Sequence, residues 1–143
     1  LGLVDVRPYF RARLNSLGYK EWSDGFNFDN IPENIIDKAY HIDDFEVTFE
    51  SLNQTDLELD VSVTTRLFFK GFRNVKEALD ICNERLDAIL VEVLKPTNRL
   101  TGTLGLRNVL LSSIKKEPVD VSNDNTIRVA IVWSVQVNLC TMD

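Results

Sequence analysis

The sequence predicts an α+β fold in the order α-β-β-α-β-β: a four-stranded, mainly antiparallel sheet with the second helix packed on one face. Three patterns carry that reading. Leu57, Leu59, Val61, Val63, Thr65, Leu67 and Phe69 alternate with Glu58, Asp60, Ser62, Thr64 and Arg66, which is the period of two of a strand with one buried side. Ile127, Val129, Ile131, Trp133, Val135, Val137 and Leu139 repeat that period near the other end of the chain. Between them Val75, Leu79, Cys82, Leu86, Ile89 and Val93 recur at the spacing of one helical face.

The first element is a short amphipathic helix. Asp5 is placed to cap its start, Pro8 is tolerated in the first turn, and Val6, Phe10, Leu14 and Leu17 share a face before Gly18 stops it. From Tyr19 to Pro32, Trp22, Phe26 and Phe28 sit among Ser, Asp, Gly and Asn, which suits a loop or a short edge strand held by aromatic anchors. Tyr40 and Ile42, then Phe45, Val47 and Phe49, make the first arm of a long hairpin, and the one-residue shift near Asp43 and Asp44 marks a bulge or a break. The polar stretch from Ser51 to Asp56 turns the chain into the strand that runs to Phe69. Asn74 with Glu77 three residues on reads as a capping box for the second helix, and Pro96 closes it. A less regular strand follows from Leu106 to Lys116, then a polar turn containing Asp120, Asn123 and Asp124, then the closing strand.

A chain of 143 residues without a linker or an internal repeat reads as a single domain over 1–143, large enough to bury roughly 68–70% of its unfolded surface. No apolar run approaches the length that spans a bilayer, and the first residues lack the basic and apolar stretches of an export signal. Cys82 and Cys140 are far apart and belong to no CxxC pair, so both read as small buried hydrophobes in a reducing compartment. Asn53-Gln54-Thr55 has the form of a glycosylation sequon but reads as coincidence in a chain that is not exported.

The residues point away from catalysis. His41 is the only histidine and has no metal-spaced partner, no Gly-x-Ser-x-Gly elbow occurs, and no nucleophile, base and orienting group are ordered as a triad. Asp43, Asp44 and Glu46 read as water-facing carboxylates at a strand edge, since no calcium-loop pattern surrounds them. Gly102-Thr103-Leu104-Gly105 has the spacing of a GxxG loop without basic flanks. No enzyme activity, cofactor or metal is expected.

Charge is more informative. The chain carries −6, which argues against general nucleic-acid binding. Residues 24–60 hold eleven acidic side chains against Lys38 alone, a segment charge of −10 that leaves +4 on the rest, and residues 61–116 hold ten basic against five acidic. Such a chain can associate head to tail through unlike surfaces. Asp43, Asp44, Glu46, Glu58 and Asp60 are the expected acidic contributors, and Arg66, Arg73, Arg99 and Arg107 the basic ones. A solvated acidic face is the plainer alternative.

The whole chain also resembles a family. A short helix ending in Leu17-Gly18-Tyr19, an acidic and aromatic loop, a long hairpin, one helix from Asn74 to Lys95 and a closing strand Ile127-Arg-Val-Ala-Ile-Val-Trp-Ser-Val-Gln-Val137 are similar to the tail terminator, or tail completion, proteins of long-tailed bacteriophages. The resemblance implies a virion protein, assembled in the host cytoplasm, that forms a hexameric ring at the head-proximal end of the tail. Such a ring caps the tail tube, ends its polymerisation and presents the surface onto which a connector or neck protein docks, while DNA passes through the lumen without specific binding. Another head-tail joining protein, such as a neck or head-closure protein, fits the same elements. A small ligand-binding α+β domain is the third reading.

Overall fold

The computed structural model describes residues 3–22, 37–51, 56–70, 75–95, 108–118 and 127–140. A 3-10 turn at Leu3–Asp5 leads into α1 (Val6–Ser16), followed by β1 (Lys20–Glu21), β2 (Ala39–Ile42), β3 (Glu46–Ser51), β4 (Asp56–Phe69), α2 (Val75–Leu94), β5 (Asn108–Pro118) and β6 (Ile127–Cys140). The two segments with unbroken period-two alternation become the two longest strands, of 14 residues each. They pair with one another over their full length, from Asp56 opposite Cys140 to Phe69 opposite Ile127. This antiparallel ladder is the spine of an α+β molecule.

The sheet differs from the expected four strands. It is a mixed sheet of six, ordered β1-β2-β4-β6-β5, with β3 paired to β4 as well and β1 parallel to β2. The difference arises in the first hairpin arm. β2 covers one half of β4, with Ile42 opposite Thr65, and β3 covers the other, with Val47 opposite Val61. Five steps along the first arm thus match four along β4, and the extra residue absorbs the shift at Asp43, Asp44 and Phe45. Asp43 N–H still reaches Thr64 O at 2.9 Å. The break returns Tyr40, Ile42 and Val47 to the same sheet face. β1, in the stretch read as a loop or a short edge strand, adds two residues beyond β2, too few for periodicity to choose between the two.

Both helices lie on one face, whereas only the second was expected there. Val6, Tyr9, Phe10 and Leu14 of α1 are buried in the same core as Val61, Val63, Ile131, Trp133 and Val135. The rings of Phe10 and Trp133 are 5.6 Å apart, and Tyr9 Oη donates to Val93 O at 2.6 Å, tying α1 to α2. Trp133 is wholly buried and Leu86 is 4% exposed. Asp5 does not cap α1 with its side chain, because the 3-10 turn runs straight into the helix and leaves Asp5 with helical backbone angles. Gly18 does end it. At φ +87° it lets Tyr19 N–H reach Leu14 O and its own N–H reach Asn15 O, the paired bonds of a Schellman stop.

On α2 the buried face is Ala78, Cys82, Leu86, Ile89 and Val93. Leu79, expected in that stripe, is 44% exposed. At 100° per residue it stands about 60° from the centre of the buried face, which moves to Ala78 in the first turns. Asn74 and its capping role lie outside the described residues. Glu77 does stand in the first turn of α2.

Candidate assembly surface

Among the described residues, one face of the sheet lies under the helices and the other does not. Strand pairing assigns the even positions of β4 and β6 to the second face, so Asp60, Ser62, Thr64, Arg66, Ala130, Val132, Ser134 and Gln136 stand there, all half-buried. Phe68 is the exception. It is buried, with the Arg128 guanidinium 5.8 Å from its ring centre. On β3, Glu46 and Thr48 face the same way, opposite Ser62 and Asp60, and both are exposed.

The residues expected to form an interface fall into three groups. Asp43 and Arg66, assigned to opposite partners, meet within one subunit: Arg66 Nε donates to Asp43 Oδ2 at 2.8 Å, because Asp43 follows β2 directly and β2 lies beside Arg66. Asp44 and Glu46 are exposed, and Asp60 is half-buried. Asp44 Oδ1 accepts from the N–H of Phe45 at 3.0 Å, an interaction within the turn. Glu58 is placed by β4 opposite Glu50 of β3, and Arg73, Arg99 and Arg107 lie outside the described residues.

Other members of the acidic segment also find partners inside the subunit. Arg85 of α2 grips Asp37 with both terminal nitrogens, at 2.7 and 3.4 Å, and Asp37 Oδ1 accepts the N–H of Lys70 at 3.0 Å. Part of the acidic excess between 24 and 60 is therefore used to fix the start of β2 against α2. Among the described side chains, the carboxylates exposed on the β3 side are those of Asp44 and Glu46. Across the sheet, β5 carries Lys115 and Lys116, the latter donating to Asn83 Oδ1 on α2.

Sequence reasoning missed one feature, a groove between α2 and β5. Leu86, Leu90, Ile114, Asn83, Asp87 and Lys116 line it. Leu111, on the same sheet face as Trp133, is 38% exposed, and Leu110 on the opposite face is 52% exposed. The bulge at Ser112, where Leu111 faces Trp133 and Ser113 faces Val132, explains why β5 read as irregular. It shifts the alternation by one residue, so Leu111 and Ile114 share a face.

The groups tested for chemistry occupy structural positions. His41 Nδ1 lies 2.9 Å from Trp22 O and acts there as the donor, while Nε2 is 3.7 Å from Asp43 Oδ1. Cys82 is buried, and burial pushes its thiol pKa up, away from thiolate reactivity. Cys140 ends β6. Among the described residues no group of three His, Cys, Asp or Glu could hold a metal ion, and no helix is long and apolar enough to cross a membrane. The Gly102–Gly105 loop, the sequon and the turn at Asp120 lie outside the described residues. No family model and no curated protein matches the chain.

Proposed function

We propose that the protein is a structural subunit that assembles head to tail into a closed ring of the tail-terminator type, six subunits capping a phage tail tube. One observation carries the reading: the two sides of a single sheet differ in chemistry. The β3 side presents Asp44 and Glu46, and the β5 side presents Lys115, Lys116 and exposed leucines. A heterologous contact needs two unlike, complementary patches on every copy, and it yields a ring when the rotation closes. The resemblance in element order supplies the biological setting. In it the ring ends tube polymerisation and offers a docking surface to the connector or neck protein, in the virion. A net charge of −6 suits a lumen that DNA must cross without being held.

The test has two readouts. Native mass spectrometry of the purified chain is expected to show six copies, and the chain added to polymerising tube protein should shorten the tubes seen by electron microscopy. A monomer at every accessible concentration, together with tubes of unchanged length, would overturn the reading.

A further inference from the structure

An edge strand presents a row of unpaired N–H and C=O groups, which proteins ordinarily blunt with lysine, proline or a bulge. β5 lies at one edge of the sheet, and β3 is paired on one side only among the described residues. On β5 the blunting features gather in the second half, where Lys115, Lys116 and Pro118 follow the bulge at Ser112. The first half, Asn108 to Leu111, has none, and it carries the exposed leucines Leu110 and Leu111. Val47 on β3 is exposed to a similar degree, 39%.

We propose that β3 of a second copy adds to the first half of β5 as an antiparallel strand, so that the sheets of neighbouring subunits join edge to edge. This rests on the head-to-tail reading above and names its contact. Strand direction favours it. β3 opposes β4, β4 opposes β6 and β6 opposes β5, so β3 and β5 run in opposite senses. A copy set alongside with its helices on the same side therefore offers β3 antiparallel to β5, an orientation in which edge strands pair directly. The levels also agree. Glu46 and Thr48 stand opposite Ser62 and Asp60, and through β6 the same two residues stand level with Leu110 and Asn108. A short slide along the strand is enough.

The side chains match on both faces. Val47 faces the helix side, opposite Val61, and arrives beside Leu111 and the groove of Leu86, Leu90 and Ile114. Thr48 and Glu46 arrive on the other face, beside Leu110. Asp44 and Glu46 lead the incoming strand toward Lys115 and Lys116, which supplies the charge complementarity that selects a second copy as the occupant. Burial of Val47, Leu110 and Leu111 supplies affinity, and the charges set the register.

The experiment uses single-cysteine partners in a Cys140→Ser background, with Cys82 left buried. Thr48→Cys in one preparation and Leu110→Cys or Ser113→Cys in another are mixed under mild oxidation, with near-ultraviolet circular dichroism confirming that each is folded. The expected result is a disulfide-linked dimer in the mixture and little cross-linking in either preparation alone, since the contact joins unlike strands. In parallel, Glu46→Lys should slow association at low salt at least tenfold, and mixing it with Lys115→Glu/Lys116→Glu should restore the rate. If sedimentation shows assembly intact while the mixture cross-links no better than its components, this contact is wrong and the ring reading stands. If the parent chain never associates, both fall.

Discussion

Trp133 brings an indole N–H into a fully buried site, and Thr65 Oγ1 accepts it at 3.0 Å while lying 3.4 Å from Ile131 O. Thr65→Val keeps the shape and removes the acceptor, so urea denaturation should show a loss of about 1–3 kcal/mol, the cost of an unmet buried donor. Thr65→Ser should recover most of it. Periodicity put Thr65 on the inward face but gave no reason for a hydroxyl there, because its partner is 68 positions away in the chain. Distance in sequence also hid the Asp43–Arg66 pair: composition could count both charges but could not show that they neutralise each other in one subunit. Two tyrosines give a pH dependence. Burial is the main cause that pushes the phenols of Tyr19 and Tyr40 up to about 12 from 10.0, and Tyr40 Oη also donates to Asn15 Oδ1 at 2.7 Å. Their neutral forms favour the fold, so this contribution is complete below pH 10 and is lost as pH rises toward 12, by roughly 1.4 kcal/mol per unit for each group. Melting temperature should therefore fall steeply above pH 10, and Tyr19→Phe should flatten the fall.

Among elements, the two long strands and α2 were legible because each keeps one period over many residues, and a stripe that repeats must be buried against something. β1 was legible only as one of two readings, a loop or a short edge strand, because two residues carry no period, and the division of the first arm into β2 and β3 was visible only as a slip in alternation. The placement of α1 on the same face as α2 depends on Phe10 meeting Trp133, a contact that no local pattern encodes. The stop of α1 was legible in Gly18. Replacing it with alanine forces a side chain into φ +87° with nothing nearby to clash, so the expected loss is conformational, about 1–2 kcal/mol, measurable as a lower denaturation midpoint at unchanged slope. Leu86→Ala removes a core contact of α2 and should cost about 2–5 kcal/mol. Val91→Ala, on the solvent side of the same helix at 68% exposure, should cost well under half of that. The groove beside α2 escaped prediction because it depends on the bulge that turns Leu111 and Ile114 to one side.

At the scale of the whole molecule, the partition of charge between residues 24–60 and the rest survives in the fold only in part, since Asp37 and Asp43 are already held by Arg85 and Arg66. If the chain forms the proposed ring, salt should accordingly slow its assembly through the remaining outward charges and do little to finished rings, in which apolar burial would supply the stability. Stopped-flow light scattering against ionic strength measures the first effect, and sedimentation of preformed assemblies the second. Reversing Asp44 and Glu46 to lysine together, the outward carboxylates beside the β3 edge, should slow ring formation at low salt with an unchanged circular dichroism spectrum. The β4–β6 ladder has a further consequence, for the order of events in folding. Every rung joins positions on either side of α2 and β5, from Phe69 with Ile127 outward to Asp56 with Cys140, so the chain must close a long loop before its central rungs are rewarded. Chains dominated by such distant pairings fold in milliseconds to seconds, whereas helical bundles take microseconds to milliseconds. If the ladder is the nucleus, Val63→Ala and Val135→Ala will slow refolding while Leu14→Ala in α1 will chiefly hasten unfolding, and the two arms of a chevron plot separate these effects.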